Sequence, residues 1–500
     1  MDPGLPRGDG LWVKMALLVI DEGTTSTRAM LFDERGACLG CEQRELTQAY
    51  PKSGWVEHDA EEIWRESLAC ARAVVEAEGG AAKVAALGIT NQRETIVFWS
   101  RRTGRALAPA IVWQDRRTAA ACDKLREAGR EPLVQERTGL LLDPYFSASK
   151  IGWALEHWPA VREAGEDLCI GTVESWLIFQ LTGGLHVSDA TNASRTALMD
   201  IVRGGWDDEL LGLWGVPGSA LPEIVDCAGR FGPALTEHFG APIPISGMAG
   251  DQQAASIGQA CLAPGDTKAT YGTGAFVLTH TGDAPKHSQH RLLATIACQL
   301  GGIRTYALEG SVFTAGSLVK WLRDELGLIA SAAETEALAR SVPDNGGVQI
   351  VPAHSGLGAP HWRADVRGAI SGLSFGSGRA HIVRAALEAM AHQTYDLMAA
   401  FAADGAPWEG LKIDGGMASN GWVAQDLADL LGLAVERPRF VETTALGAAM
   451  LAGLGCGLFG SLEEAASMRG AVERFEPMMS ADARQARLEG WRAALRAVLA

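Results

Sequence analysis

The sequence lacks any long uninterrupted run of apolar residues. Its most apolar stretches, such as residues 16–20, fall far short of the roughly twenty residues that a membrane-spanning helix needs. Residues 1–14 are rich in glycine and proline and contain no apolar core of the kind that a signal peptide has. We therefore expect no membrane span and no secretion signal, and we expect residues 1–14 to form a flexible N-terminal extension.

The chain also has few basic residues relative to acidic ones. Its 44 Lys and Arg residues face 60 Asp and Glu residues, which leaves a formal net charge of −16 at pH 7. A field of that sign repels nucleic acids and anionic lipids, so neither is an expected partner. An anionic substrate would have to be held locally, by backbone N–H groups, a metal ion or a few well-placed cations.

Several familiar patterns are missing as well. The sequence contains no Gly-x-x-x-x-Gly-Lys-Ser/Thr loop, no His-Arg-Asp catalytic loop, and no Gly-x-Gly-x-x-Gly after the first expected strand. Its nine cysteines are odd in number and scattered, as is typical of reduced thiols in a cytoplasm. These absences argue against a P-loop NTPase, a protein kinase, a dinucleotide-dependent dehydrogenase and a disulfide-stabilised secreted protein.

What the sequence does contain is an α/β pattern that recurs. Five hundred residues, 47% of them apolar and 21% charged, suit two or three globular domains. The strand at residues 16–21 runs through a Gly/Thr turn into a second strand, and residues 269–279 repeat this arrangement. Two such units, one opening each half, predict an internal duplication with a cleft between the halves. We place the domain boundary near residue 260, which gives domains at residues 15–260 and 261–500.

The two Gly/Thr turns, at residues 23–25 and 272–274, are candidates for holding phosphate groups. Glycine allows close approach to the backbone, and successive N–H groups form a nest for an anion. Asp21 precedes the first turn, where it could hold Mg²⁺ through water, and Arg28 follows it, where it could reach a phosphate. The first turn taken alone is also explained as a tight hairpin with capping hydroxyls, and the second turn favours two loops that clamp a nucleotide.

Three further segments place polar groups at expected strand ends. Asp251 is placed to accept a proton from a hydroxyl that attacks a phosphorus atom. The adjacent Arg93 and Glu94 could bind hydroxyls from both sides, with Arg donating and Glu accepting. A strand at residues 411–414 breaks into a glycine pair before Asn420, where a purine and its ribose could lie. The alternatives are a helix N-cap, a surface ion pair and an ordinary strand-to-helix turn.

Ten ordered motifs join these segments to the rest of the chain. They are Asp-x-Gly-Thr-Thr-Ser at residues 21–26, Gly-Trp-Val-Glu-His-Asp at 54–59, Gly-Ile-Thr-Asn-Gln-Arg-Glu at 88–94, Val-Trp-Gln-Asp at 112–115, Asp-Pro-Tyr-Phe-Ser at 143–147, Thr-Asn-Ala-Ser-Arg-Thr at 191–196, Gly-Asp-Gln-Gln at 250–253, Thr-Tyr-Gly-Thr-Gly at 270–274, Gly-Leu-Gly-Ala-Pro at 356–360 and Thr-Ala-Leu-Gly-Ala-Ala at 444–449. On these motifs the chain resembles the FGGY family of carbohydrate kinases, and within it the members that phosphorylate glycerol. The resemblance extends from about Leu17 to about Phe475.

The resemblance implies a fold, a reaction and a cellular setting. The fold is the two-domain, actin-like (ribonuclease-H-like) α/β ATPase fold with a central cleft. Residues 15–260 would bind glycerol and phosphate, and residues 261–500 would bind the nucleotide. The reaction is ATP-dependent phosphorylation of glycerol to sn-glycerol 3-phosphate, the first step of glycerol catabolism, with Mg²⁺ as cofactor. The protein would be a cytoplasmic homodimer or homotetramer.

The resemblance also implies roles for individual residues. Asp251 would be the general base, and Asp21 and Asp251 would place Mg²⁺. Trp113 and Phe276 would form apolar walls along the carbon backbone of glycerol. The full set of glycerol-binding residues would be Arg93, Glu94, Trp113, Tyr145, Asp251, Gln252 and Phe276. The nucleotide-binding residues would be Thr24, Thr25, Ser26, Arg28, Thr273, Gly316, Gly416 and Asn420.

The chain departs from the family pattern at several positions. Glu22 replaces the commoner Gln, which predicts an added negative charge near the phosphates and a tighter dependence on Mg²⁺. Lys320 stands where Gln is often found, so we do not assign that nucleotide contact. Residues 236–242 contain no Arg, which argues against the fructose 1,6-bisphosphate loop of some bacterial members. We expect His238 to be an ordinary surface residue and not a phosphorylation site.

Three other functions remain as alternatives. Another FGGY kinase would act on a pentulose or a longer polyol, although the bulky Trp113, Tyr145 and Phe276 would leave little room for one. An actin-like structural or chaperone ATPase would share the nucleotide loops but would not need residues that bind hydroxyls. A sugar-responsive repressor would need a basic DNA-binding module, and the N-terminal extension is too short and not basic enough for one.

Overall fold

The computed structural model describes residues 15–363 and 365–500, so the expected flexible extension at residues 1–14 lies outside the described residues. Within these ranges strands and helices alternate along most of the chain. The strands are β1 (Ala16–Glu22), β2 (Ser26–Phe32), β3 (Cys38–Glu45), β4 (Glu57–His58), β5 (Val84–Asn91), β6 (Ile96–Ser100), β7 (Ala110–Ile111), β8 (Leu168–Thr172), β9 (Val187–Asp189), β10 (Met199–Asp200), β11 (Gly205–Trp206), β12 (Glu223–Val225), β13 (Ala228–Ala234), β14 (Ile243–Gly250), β15 (Thr267–Tyr271), β16 (Ala275–Gly282), β17 (Leu293–Leu300), β18 (Ile303–Val312), β19 (Gln349–Val351), β20 (Ala369–Ser371), β21 (Leu411–Asp414), β22 (Val435–Pro438) and β23 (Val472–Phe475).

The α-helices range from single turns to the long helix α13. They are α1 (Ala60–Ala77), α2 (Ala119–Glu127), α3 (Glu131–Thr138), α4 (Ser147–His157), α5 (Pro159–Arg162), α6 (Val173–Thr182), α7 (Ala190–Ala193), α8 (Asp208–Trp214), α9 (Thr236–Phe239), α10 (Asp251–Gly258), α11 (Gly316–Asp324), α12 (Glu334–Arg340), α13 (Arg379–Ala403), α14 (Gly421–Leu431), α15 (Thr443–Cys456), α16 (Leu462–Ala465) and α17 (Ala481–Leu499). No described helix combines the length and the apolarity needed to cross a bilayer.

Most of the strands belong to two large sheets, one in each half of the chain. The first sheet has the order β13-β14-β5-β1-β2-β3, and the second has the order β17-β18-β16-β15-β21-β22-β23. In each sheet the opening strand pairs antiparallel with the next strand and parallel with a later one: β1 with β2 and β5, and β15 with β16 and β21. This shared topology confirms the predicted α/β class and the predicted internal duplication.

Two helices, α10 and α15, pack closely against each other, and α15 also packs on strands of the first sheet. A Cβ atom on Gly447 would lie 1.8 Å from the carbonyl oxygen of Ala254, and one on Gly258 would lie 2.0 Å from that of Thr443. Only glycine fits at either contact, because any larger residue would push the helix backbones apart. The close crossing fixes Asp251, the first residue of α10, relative to the second half of the chain.

Candidate active site

The first Gly/Thr turn joins β1 to β2 and presents hydroxyl groups beside an indole. It is closed by a hydrogen bond of 3.0 Å from Gly23 N to Ser26 O. The Thr24 hydroxyl accepts a hydrogen bond of 2.9 Å from Trp113 Nε1, while Thr25 is exposed. The turn is therefore linked directly to one of the predicted glycerol-binding side chains.

Asp21 and Arg28 face each other across the β1–β2 pair. Arg28 Nη2 lies 2.8 Å from Asp21 Oδ2, and Arg28 Nη1 lies 2.5 Å from Glu442 Oε2 in the second half of the chain. Burial raises the pKa of Asp21 to about 6, against the lowering effect of Arg28. Arg28 thus bridges the two halves through two carboxylates, and sequence reasoning missed Glu442.

Glu22 lies on the opposite face of β1 from Asp21, because successive side chains of a strand alternate. It is fully buried, and its Oε2 accepts a hydrogen bond of 2.7 Å from the Ser67 hydroxyl on α1. Burial raises the pKa of Glu22 to about 8, so the carboxyl is mainly neutral at pH 7. The direction of the side chain, towards α1, and its burial both argue against an added negative charge near the phosphates.

Arg93 and Glu94 lie between β5 and β6 in a sharp turn. Glu94 has φ 62°, in the left-handed region that non-glycine residues rarely adopt, and Thr95 N donates to Arg93 O at 2.8 Å. Backbone conformations of this kind persist where the surrounding structure fixes them, often at functional sites. Both residues are almost fully buried, which excludes the alternative of a surface ion pair.

Five side chains of alternating charge form a continuous chain through this region. Arg93 Nε lies 3.1 Å from Asp251 Oδ1, and Arg93 Nη1 donates to Glu309 Oε2 at 2.5 Å. Arg195 Nη2 donates to Glu309 Oε1 at 2.9 Å, and Arg195 Nε donates to Glu94 Oε1 at 2.6 Å. The order is thus Asp251, Arg93, Glu309, Arg195, Glu94, which brings three predicted glycerol-binding residues together through two that sequence reasoning missed.

The missed residues left weak signals in the sequence. Glu309 interrupts the apolar strand β18, where a charged residue needs a buried partner. Arg195 belongs to the motif at residues 191–196, which supported the family resemblance but suggested no role for the arginine. Neither feature of the sequence predicts which residue forms the ion pair, because residues so distant in sequence meet only in the folded chain.

The local charges shift the pKa values of the carboxyl groups in different directions. Burial raises the pKa of Asp251, although Arg93 and Lys268 lower it. Burial also raises the pKa of Glu94, against the effects of Arg195 and Arg93. For Glu309, burial is outweighed by the two guanidinium groups, which hold its pKa below the ordinary value. Asp251 thus has a higher proton affinity than a free aspartate.

Three aromatic side chains lie beside the charged chain. The ring of Trp113 meets that of Tyr145 at 5.6 Å and that of Phe276 at 6.3 Å between centroids, edge to face in both cases. Phe276 comes from β16 in the second half, whereas the other two come from the first half. The structure therefore brings the predicted apolar walls together from both halves.

Gln252 is held by a lysine that sequence reasoning missed. Lys268, fully buried in β15, donates to Gln252 Oε1 and to the Thr270 hydroxyl, the latter at 2.9 Å. Burial lowers the pKa of Lys268, while Asp414 and Asp251 raise it. The carbonyl end of the Gln252 amide is thus already engaged.

The second Gly/Thr turn is joined to the start of α11 by backbone hydrogen bonds. Gly316 N donates to Gly272 O at 2.9 Å, and the Thr273 carbonyl accepts from Ala315 N at 2.9 Å and from Ser317 N at 3.1 Å. A Cβ atom on Gly316 would lie 2.5 Å from Gly272 O, so this position requires glycine.

Gly416 and Asn420 lie between β21 and α14. Gly416 is exposed, and a Cβ atom there would meet no described atom within 4 Å. The Asn420 side chain accepts from Trp422 N at 3.0 Å and Val423 N at 3.2 Å, which makes it the N-cap of α14. The alternative of an ordinary strand-to-helix turn is therefore accounted for by this cap, and contact of Asn420 with a nucleotide stays a prediction.

Lys320 and His238, two further positions considered in the sequence, differ in their exposure to solvent. Lys320 is exposed on α11. His238 is only 9% exposed, with Nε2 3.2 Å from Gln180 O and its ring edge-on to Trp64 at 5.2 Å. The expectation of an ordinary surface histidine is wrong, and this burial also argues against phosphorylation of His238.

The site contains carboxylates that could bind a divalent cation, but they do not form a complete coordination shell. Among the described residues, no group of three or more His, Cys, Asp or Glu side chains is arranged to hold a metal ion. Asp21 and Asp251 are close enough for the charge of Asp251 to raise the pKa of Asp21. One or two carboxylates completed by phosphate oxygens and water are what Mg²⁺ usually binds in kinases, so the donor set fits that ion.

The comparisons with known proteins agree over nearly the whole chain. The N-terminal domain of the FGGY family of carbohydrate kinases matches residues 16–258, and the C-terminal domain matches residues 267–456. A glycerol kinase of Methylobacterium nodulans is 56% identical over 494 residues, covering 97% of this chain and 98% of that protein. A glycerol kinase of Rhodospirillum centenum is 54% identical over 484 residues, covering 96% and 97%.

Solved structures show the same fold. Plasmodium falciparum glycerol kinase with ADP superimposes with a TM-score of 0.92 at 36% identity, covering 97% of this chain and 99% of that one. A ligand-bound xylulose kinase from Lactobacillus acidophilus superimposes with a TM-score of 0.86 at 21% identity, covering 97% of each chain. The predicted two-domain, actin-like α/β fold is thereby confirmed.

Proposed function

Because the chain belongs to the FGGY family of carbohydrate kinases, we propose that it transfers the γ-phosphoryl group of ATP to glycerol and produces sn-glycerol 3-phosphate. Its glycerol kinase relatives, more than half identical over almost the full length, support this substrate. The observation that carries the proposal is the convergence of Arg93, Glu94 and Asp251 beside three aromatic rings. A small uncharged triol needs such fixed polar partners and a narrow pocket.

Glycerol recognition rests on atoms that the charged chain leaves unused. Arg93 Nη2 and Glu94 Oε2 make no hydrogen bond to any described residue, while the other polar atoms of these groups are engaged. A donor and an acceptor side by side suit adjacent hydroxyl groups, each of which can donate and accept. A site built for particular hydroxyls rejects an analogue that lacks one by up to ~10⁴-fold, because its buried partners go unpaired. Trp113, Tyr145, Phe276 and the amide nitrogen of Gln252 complete the proposed pocket.

Asp251 is the proposed general base. Its raised pKa makes it a better acceptor for the proton that the attacking hydroxyl gives up. Proton removal is expected to be late, because the transition state of phosphoryl transfer is loose. Mg²⁺, held by Asp21 and Asp251, would neutralise charge on the phosphates. Arg93 keeps Asp251 oriented, so most of the rate is expected to come from positioning.

The nucleotide is proposed to lie between the two Gly/Thr turns. Thr24, Thr25 and Ser26 offer hydroxyls and backbone N–H groups on one side, and Thr273 lies on the other. Gly416 leaves room for close approach to the backbone, and Gly316 joins the second turn to α11. Asn420 and Arg28 are the proposed side-chain contacts. We accordingly propose that residues 15–260 bind glycerol and phosphate and that residues 261–500 bind the nucleotide.

Cellular setting and assembly are part of the proposal. Use of ATP, together with nine free cysteines, favours the cytoplasm. The exposed apolar side chains Ile370, Leu373 and Phe375, on β20 and the loop after it, favour a homodimer or homotetramer that covers them. Phe375→Ser is expected to shift the molar mass measured by light scattering towards the monomer. An unchanged oligomer, or a monomeric wild type, would contradict this assignment of the surface.

The function is tested by ADP release with MgATP and one acceptor at a time. The acceptors are glycerol, dihydroxyacetone, erythritol, xylulose, ribulose and gluconate, with a control that contains no acceptor. We expect strong turnover with glycerol and little with the five-carbon sugars. A preference for a pentulose would retain the kinase and overturn the substrate, and equal ATP hydrolysis with and without every acceptor would favour a structural ATPase.

A further inference from the structure

Glu309 occupies an unusual position in the second half of the chain. It lies in β18, between β16 and β17, and its side chain has no solvent exposure. Both of its ion-pair partners, Arg93 and Arg195, come from the first half and are also buried. A buried carboxylate shared by two arginines of the other half is a contact that neither half can make alone.

Each arginine uses its Nε on a carboxylate that faces the proposed glycerol pocket. Arg93 Nε lies 3.1 Å from Asp251 Oδ1, and Arg195 Nε lies 2.6 Å from Glu94 Oε1. Because a guanidinium group is planar and rigid, fixing one of its nitrogens fixes the direction of the others. The Glu309 carboxylate therefore sets the orientation of both groups at once.

We propose that Glu309 is a positioning residue for the acceptor site, which couples the second half of the chain to the groups that bind glycerol. The proposal rests on the proposed function, because it concerns the same pocket. Glu309 does not itself contact the acceptor. It holds Arg93 so that Nη2 stays available to a hydroxyl, and it holds Arg195 so that Glu94 keeps Oε2 available.

Charge balance gives the physical reason. The chain of five side chains alternates in sign, so each buried guanidinium lies between two carboxylates. Without the charge of Glu309, the arginines would compete for the carboxylates at either end, Asp251 and Glu94. Those two groups would then be drawn away from the acceptor, because an uncompensated buried charge is costly.

The decisive variant is Glu309→Gln, which keeps the shape of the side chain and removes its charge. We expect the KM for glycerol to rise about 10- to 100-fold, the range that loss of a charge-assisted hydrogen bond produces. The KM for ATP should stay within about twofold, since the nucleotide is expected to meet this chain of charges only at Asp251, through Mg²⁺, and not at Glu309. Glycerol affinity measured by titration calorimetry should fall by the same factor as the KM rises.

Glu388→Gln is the matched control. Glu388 is likewise a buried carboxylate of the second half, 2.9 Å from Arg384 Nε and 2.7 Å from Asn345 Nδ2, but it lies on α13 outside the proposed site. It should lose thermal stability as Glu309→Gln does, with an unchanged KM for glycerol. If the role of Glu309 were purely structural, Glu309→Gln would behave like this control: a smaller fraction of the protein would be active, and the KM for glycerol would be unchanged.

A second variant tests the same proposal if Glu309→Gln does not fold. Arg195→Lys retains the positive charge but cannot hold Glu309 and Glu94 at once, so its KM for glycerol should rise with that for ATP unchanged. An unchanged glycerol KM and affinity in the folded variants would overturn the positioning role. Failure of the proposed function is seen separately, as wild-type protein that does not phosphorylate glycerol.

Discussion

The two halves share a topology and differ in the groups they place around their Gly/Thr turns. In the first half these are charged side chains, with Asp21 on β1, Arg93 after β5 and Asp251 after β14. In the second half they are mainly glycines, at the start of α11 and after β21, together with the hydroxyl of Thr273. The proposed roles thus give one topology side-chain chemistry in the first half and backbone recognition in the second.

The difference teaches how each side can be disrupted. A site made of buried charges depends on the sign and number of those charges, because each is stabilised only by its neighbours. A site made of backbone N–H groups keeps its donors with any residue except proline, and what it requires is space for the ligand to approach. Removing charge should therefore damage the first half, and adding bulk should damage the second.

The largest effect is expected from Asp251→Asn in the first half. The variant keeps the shape of the side chain but cannot accept the proton, so turnover should fall about 10²- to 10⁴-fold. Glycerol affinity should change little, because the amide still offers an oxygen to Arg93. Steady-state kinetics and titration calorimetry measure the two quantities.

Asp426→Asn is the control from the second half. Asp426 pairs with Arg487 through contacts of 2.5 and 2.6 Å and lies outside the proposed site. It should lower stability and leave turnover nearly unchanged. Near-normal turnover in Asp251→Asn would remove Asp251 as the base and weaken the contrast between the halves.

An intermediate effect is expected from Gly316→Ala in the second half. The added Cβ atom would lie 2.5 Å from Gly272 O, so the second Gly/Thr turn must shift. We expect the KM for ATP to rise about tenfold, roughly the cost of one lost hydrogen bond to a charged phosphate. The KM for glycerol should hardly change.

Gly212→Ala on α8 is the matched control, because a Cβ atom there meets no described atom within 4 Å. It should leave both KM values at those of the wild type. If Gly316→Ala raised the KM for glycerol instead, the assignment of the nucleotide to the second half would be in error.

The smallest effect on catalysis is expected from Glu22→Gln, which should change stability instead. The pKa of Glu22 is raised from 4.5 to about 8 in the folded chain, so the unfolded chain loses this proton first as the pH rises. The free energy of unfolding should therefore fall between pH 5 and 8, by up to about 1.4 kcal/mol per pH unit from this group. The Gln variant has no such proton and should show a flatter profile.

Denaturant unfolding at pH 5, 6, 7 and 8 measures this difference. Glu45→Gln, at an exposed position of β3, should follow the wild-type profile. Parallel profiles for wild type and Glu22→Gln would show that Glu22 is ionised in the folded chain. The dependence on Mg²⁺ should be the same in both proteins, because Glu22 faces α1 and not the site.

Much of the site could be predicted from the sequence because its motifs are local. Asp21, Arg93 and Asp251 each stand beside an expected strand end, and the structure brings Arg93 and Asp251 within 3.1 Å. The placement of Glu22 and His238 could not be predicted, because burial depends on which element covers a residue. Both side chains pack at α1, through Ser67 and Trp64 respectively.

The sequence by itself determined the α/β class, the duplicated strand–turn–strand units and the family. All three depend on local features: the alternation of helical and strand patterns, the turn residues and the short motifs. Only the tertiary structure decided which charges meet. Glu309 is separated by 216 positions from Arg93 and by 114 from Arg195, yet its carboxylate joins both. Ion pairs at such separations form only when the two halves of the chain are packed together. In the low dielectric of the interior, each buried charge then needs its partner.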